Sequence, residues 1–293
     1  MSKNAMCYQK ALGAFVGLHA GDSLGATLEF CPPQPSPTSH CEILGGGEFN
    51  WRAGQGTDDT DLMLCVLRSI VSPNNLDLMK LKSEFLIWYR SNPPDIGHTT
   101  RRGMQRLEQG LPLAECGPRD ELAQGNGSLM RAAPLCLLEE QELERVLETQ
   151  CRMTHGHENC VVADRVYLHV LRALLHGADK KQAYLMALDS SKGLSKTLYE
   201  MLLAVPQMSW SELNSQGHCF STLQVALWGL YHTDNFVSAV VHVVNRGGDA
   251  DTAGAVTGAL AGALYGYDAI PHRWRVLLEL RQEIETELDR LFA

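Results

Sequence analysis

A chain of 293 residues with 45% hydrophobic and 20% charged side chains has the composition of a packed globular protein, which excludes the disordered and fibrous classes. Its formal net charge of -9 excludes a broad nucleic-acid-binding face, because phosphate contacts need clustered Lys and Arg. The length suits one domain over residues 1–293.

The first element, Ala11 to Ala20, reads as a helix, and nothing before it has the apolar core and cleavage site of a secretory signal. Nine scattered cysteines, none in a C-x-x-C pair, point to a reducing cytoplasm and mostly inert thiols. Cys31 to Trp51, with four prolines and then Gly45-Gly46-Gly47, reads as a loop, as does Glu115 to Gly127. Helix-period patterning predicts helices over Leu62 to Val71, Leu76 to Tyr89, Leu135 to Cys151, Val161 to Leu175, Leu223 to His232, Phe236 to Val244 and Trp274 to Phe292. Strand signals are few, so the fold class is all-α, an irregular helical bundle. The longest apolar run, Ala253 to Tyr265, falls short of the roughly 20 residues that a bilayer requires, so no stable membrane insertion is expected.

Two segments carry glycine at every fourth position: Gly13, Gly17, Gly21 and Gly25 near the start, and Gly254, Gly258, Gly262 and Gly266 near the end. Each set lies on one helical face. An interior glycine costs up to about 1 kcal/mol relative to alanine, so such a stripe needs a packing reason. Close backbone approach supplies one, and both helices are expected at the centre of the bundle, with packing against each other as one arrangement.

Two acid-rich turns carry the chemistry. Gly54-Gln55-Gly56-Thr57-Asp58-Asp59-Thr60-Asp61 precedes an apolar helix, and its Thr and Asp would cap that helix well. Three carboxylates in four residues exceed what a cap needs, and with the threonines they offer oxygen ligands to a hard cation. Asn245-Arg246-Gly247-Gly248-Asp249-Ala250-Asp251-Thr252 also opens a helix. Asp249 and Asp251 would face opposite sides of a regular helix, so they share a ligand only if Gly247 and Gly248 make a turn there. Oxygen-only ligands favour Mg²⁺, Mn²⁺ or Ca²⁺ over zinc or copper, and this many acids could hold two ions.

These turns, with Gly21-Asp22-Ser23-Leu24-Gly25-Ala26-Thr27-Leu28-Glu29-Phe30 and Gly125-Asn126-Gly127-Ser128-Leu129-Met130-Arg131, resemble the ADP-ribosylglycohydrolase family in motif order from about Ala11 to Gly266. The resemblance implies an all-α orthogonal bundle with a central dinuclear metal site, holding two divalent cations, Mg²⁺ or Mn²⁺. Thr57, Asp58 and Asp59 would face Asp249, Asp251 and Thr252 across the ions. Glu29 matches a glutamate on a mobile flap, and Asp95 an acid implicated in catalysis. Gly125, Asn126, Gly127, Ser128, Met130, His155, Gly217, His218 and Gly248 would contact the substrate. Motif order is most similar to bacterial members that remove ADP-ribose from an arginine of dinitrogenase reductase. An ADP-ribosylated protein with an arginine linkage is therefore the implied partner, for an enzyme expected to work as a monomer.

The sequence also departs from the family. His218 stands after Gly217 where a Tyr is common, and His98 where Asn or a small polar residue is expected. Serine-linked ADP-ribose and free ADP-ribose esters remain alternative substrates, and a non-catalytic ADP-ribose binder an alternative class. Gly21 to Gly25 also fits a GDSL esterase with Ser23 as nucleophile, but such an elbow needs a preceding strand, and Ala11 to Ala20 reads as helix.

Overall fold

The computed structural model describes residues 3–293. Thirteen α-helices account for most of the chain: α1 (Lys3–Gly25), α2 (Asp58–Ser69), α3 (Leu78–Arg90), α4 (His98–Glu108), α5 (Glu140–Arg152), α6 (Glu158–Leu175), α7 (Lys180–Lys192), α8 (Lys196–Ala204), α9 (Cys219–His232), α10 (Phe236–Val244), α11 (Ala250–Tyr265), α12 (His272–Arg275) and α13 (Arg281–Phe292). Strand pairing amounts to one antiparallel ribbon of β1 (Ile70–Ser72) and β2 (Asn75–Leu76), together with two isolated bridges, among the described residues. The fold is all-α. No described helix is long and apolar enough to cross a membrane.

The glycine stripes meet. A Cβ on Gly13 would stand 2.4 Å from the Gly262 carbonyl oxygen, one on Gly17 2.4 Å from that of Gly258, and one on Gly21 2.0 Å from that of Gly254. The contacts are reciprocal, so α1 and α11 run antiparallel with backbone against backbone. No side chain larger than hydrogen fits at these rungs, and the packing of two bare backbones offsets the helix-propensity cost of the glycines. Two rungs differ from the sequence pattern: Gly25 meets Ala250, and Gly266 ends α11 in a left-handed conformation with open space at its Cβ position. Both helices lie inside the bundle, buried over residues 11–25 and 250–263, with α6, α9 and α10 packed against α11. Antiparallel pairing sets the C-terminus of α1 beside the N-terminus of α11, and the site forms at that end.

Several predicted helices have different bounds. The segment from Leu135 to Cys151 is a 3-10 turn, Ala133–Leu137, followed by α5; the chain turns extended at Leu138 and Glu139, where Glu139 N donates to the Pro73 carbonyl at 2.6 Å. The span from Trp274 to Phe292 is split into α12 and α13 because Glu279 N leaves the helix to bond the Gly54 carbonyl at 2.9 Å. Val71 and Leu76 belong to the ribbon, which turns at Pro73 and Asn74, rather than to α2 and α3. All nine cysteines are free, and six are buried.

Candidate active site

Three side chains on one face of α1 grip the first acidic turn. His19 Nε2 lies 3.1 Å from the Gly54 carbonyl, and Ser23 Oγ donates to the Gln55 carbonyl at 2.7 Å. Between them the buried Asp22 carboxylate accepts from Thr57 N at 3.0 Å, from Thr60 N at 3.2 Å and from Thr60 Oγ1. Asp22 thus satisfies, from another helix, an amide that the first turn of α2 leaves without a partner. Thr57 caps the same helix, accepting from Asp59 N at 3.3 Å. Asp58 and Asp59 have no capping duty and turn into the interior. Asp61 turns away, to Trp88 Nε1 at 3.1 Å. Ser23 lies within α1 and its hydroxyl is engaged, which removes the esterase alternative.

Backbone contacts hold the second turn. Gly247 and Gly248 have φ of 64° and 65°, a left-handed pair that reverses the chain just before α11. A Cβ on Gly248 would also stand 2.3 Å from the Ser215 carbonyl oxygen. Phe30 N donates to the Gly248 carbonyl at 2.6 Å, Gly248 N to the Cys31 carbonyl at 2.9 Å and Asp249 N to the Ser215 carbonyl at 2.6 Å. Asp249 occupies the N-cap position of α11 but its side chain makes no capping bond. Instead it accepts from Asn126 Nδ2 at 2.6 Å, and the same amide donates to Thr222 Oγ1 at 2.9 Å. The two turns meet at Asp59, whose Oδ2 accepts from Thr57 Oγ1 and Thr252 Oγ1, each at 3.3 Å.

A cleft of about 380 Å³ opens at this meeting point. Glu29, Asp58, Asp95, Asp249, Asp251 and Thr252 line it, together with Gly125, Asn126, Gly127, Met130, His155 and Gly217. Gly127 admits no side chain, because a Cβ there would stand 2.7 Å from the His155 ring and 2.9 Å from Thr100 Oγ1. Thr57 and Asp59 are buried and do not line the cleft. Three candidate substrate contacts also lie off it. Ser128 Oγ points inward to Asp164 Oδ1 at 3.1 Å; His218 caps α9 through Nδ1 and faces Gln124 through Nε2; Gly248 serves the turn. Phe30, Gly97, Thr99, Thr100 and Gln216 line the cleft without having been picked from the sequence, and His98 lines it too. Most of them neighbour residues the motifs did single out, which is the one signal that could have found them.

The carboxylates are crowded and dry. Burial first, and the Asp95 carboxylate second, push Glu29 up to about 9; burial and neighbouring acids likewise raise Asp58, Asp59 and Asp251 well above the usual carboxylate range. Burial also raises Asp95, against the pull of its hydrogen bond with Asp58. Burial lowers His155 to about 3, so this imidazole is neutral in the cleft. Glu29 Oε2, Asp59 Oδ1 and Asp251 Oδ1 are buried without a hydrogen-bond partner. One oxygen each of Glu29, Asp95 and Asp251 lie within 4.8 Å of one another. Unpaired buried carboxylates are costly, and a hard divalent cation is the partner that this all-oxygen set fits.

An all-helical fold that buries paired acidic turns at one cleft matches a known class of glycosyl-bond hydrolases. Residues 3–293 match the ADP-ribosylglycohydrolase family, and the chain belongs to it. It is 35% identical to the ADP-ribosyl-dinitrogen reductase glycohydrolase of Rhodospirillum rubrum, covering 98% of this chain and 96% of that protein. It is 31% identical to the ADP-ribosylarginine hydrolase Tri1 of Serratia proteamaculans, covering 97% of this chain and 79% of that one. A solved structure of an ADP-ribosylglycohydrolase-related protein complex superimposes with a TM-score of 0.85 at 35% identity, covering 98% of both chains.

Proposed function

We propose that the protein removes ADP-ribose from arginine side chains of modified proteins in a metal-dependent reaction. The observation that carries this reading is the meeting of two acidic turns at Asp59, with orphaned carboxylate oxygens of Glu29, Asp59 and Asp251 buried around it. The names of the Rhodospirillum and Serratia relatives support the arginine linkage, and dinitrogenase reductase is a candidate target. Two divalent cations, Mg²⁺ or Mn²⁺, would be held by Thr57, Asp58, Asp59, Asp249, Asp251 and Thr252, and when bound they orient ribose hydroxyls and acidify water.

The chain's own residues do the rest. Breaking the bond at the ribose anomeric carbon builds oxocarbenium-like positive charge, which the surrounding carboxylates stabilise. Glu29, which burial and the neighbouring Asp95 charge keep protonated, delivers a proton to the leaving guanidine nitrogen, and Asp95, half-buried on the cleft wall, takes one from the attacking water. The glycines at 125 and 127, with Asn126, bring backbone close to ribose or phosphate, and neutral His155 backs that loop. The direct test incubates the protein with arginine-linked and serine-linked ADP-ribosyl peptides in Mg²⁺, Mn²⁺ or EDTA and measures released ADP-ribose. Metal-dependent release from the arginine peptide is expected, with Asp95→Ala slower by about 100-fold or more. Release from the serine peptide alone would overturn the linkage, and undiminished release in EDTA would overturn the metal.

A further inference from the structure

We propose that Phe30 is the residue that selects a guanidinium-bearing substrate, its ring forming an aromatic wall at the cleft against which the planar cation stacks. The inference rests on the arginine reading above and extends it to a residue with no assigned role.

Phe30 follows Glu29 in sequence, yet the two side chains have opposite fates: Glu29 is buried, whereas Phe30 is 64% exposed, and both line the cleft. Among the described lining residues Phe30 is the only large apolar side chain so exposed. Its backbone adopts φ of 60°, a left-handed conformation that bulky residues seldom accept, so the position is held against its own preference. The hold is visible in the bond from Phe30 N to the Gly248 carbonyl, which pins the residue beside the Asp249 turn. Phe49 supports the ring edge-on, with centroids 6.3 Å apart and planes at 66°.

Charge identifies the guest. Of the five carboxyl side chains that line the cleft, Asp58, Asp249 and Asp251 are committed to the cations in the reading above, which leaves Glu29 and Asp95 to face the guest, and no Lys or Arg among the described residues lines it. A flat cation gains twice there, from the ring face and from a nearby carboxylate that accepts its N–H bonds, and guanidinium has the shape for both. A neutral nucleobase could stack on Phe30 but would draw nothing from the acids.

The test compares the Mn²⁺-loaded wild type with Phe30→Ala and Phe30→Tyr, using an arginine-linked ADP-ribosyl peptide and free ADP-ribose. Phe30→Ala keeps an L-residue at the same backbone angle, so the comparison reports the ring. The expected result is a KM about tenfold higher for the peptide, with kcat and free ADP-ribose affinity within about twofold of wild type, and recovery in Phe30→Tyr. An equal loss of ADP-ribose affinity would make Phe30 a nucleobase platform and overturn the proposal, as would an unchanged KM in a wild type that cleaves the peptide. A wild type that leaves the arginine peptide intact but cleaves another linkage would sink the arginine reading itself, and this proposal with it.

Discussion

The two acidic turns look alike in sequence, each a Gly-rich lead followed by Thr and Asp and then a helix, yet they are braced by different means. The turn at Thr57 is held by side chains of α1: His19, Asp22 and Ser23 each bond its backbone. The turn at Asp249 is held mainly by backbone, through left-handed Gly247 and Gly248 and main-chain bonds to Phe30, Cys31 and Ser215, with one side-chain bond from Ser215 Oγ to the Gly247 carbonyl at 2.7 Å. A side-chain brace fails when its polar partner is removed, and buried donors are then stranded. A backbone brace fails when a Cβ is added.

The largest effect is expected from Asp22→Ala, which strands the amides of Thr57 and Thr60 and the Thr60 hydroxyl in the interior. It should cost about 4 kcal/mol in chemical denaturation and weaken Mn²⁺ binding, read by electron paramagnetic resonance. A loss below about 1 kcal/mol would show that the turn does not depend on its brace.

His19 gives that brace a pH dependence. Burial lowers its pKa from 6.5 to about 4, and its buried Nδ1 has no partner to receive a proton. Between these values the unfolded chain binds a proton that the folded chain refuses, so stability falls as pH drops through this window and the loss is complete near pH 4. Relative to wild type, His19→Gln should therefore gain up to about 3 kcal/mol between pH 7 and pH 4, measured by urea denaturation at each pH. Parallel pH curves for the two proteins would contradict this.

Gly248→Ala is expected to be the mildest, about 2 kcal/mol, from the left-handed φ and the close Ser215 carbonyl. Metal affinity should fall with it, because Asp249 and Asp251 shift. A larger loss here than in Asp22→Ala would reverse the ranking of the two braces.

Much of this arrangement was legible in the sequence because it is periodic or local. The four-residue glycine spacing announces a close helix contact, and acids grouped beside Thr and Gly announce a polar turn. The braces were not legible, since nothing local distinguishes Asp22 from a surface acid until α1 and α2 are placed side by side. Helix α4, HTTRRGMQRLE, was missed because its buried face is only Thr100, Gly103, Met104 and Leu107, too sparse an apolar stripe to read. The breaks before α5 and α13 were missed because long-range partners, Pro73 and Gly54, draw the chain out of the helix. Ser128 and His218 sit in motifs that do reach the cleft, but their side chains are spent on Asp164 and on capping α9.

The glycine contact also fixes when the site can exist. Gly13 must find Gly262, and Gly21 must find Gly254, across almost the whole chain, so this pairing closes a very long loop and cannot form early. During synthesis a nascent chain that stops short of Gly254 already contains the Thr57 turn and its α1 brace, but the bare backbone stripe of α1 has nothing to lie against. The last central helix to emerge from the ribosome is therefore the one that completes the cleft.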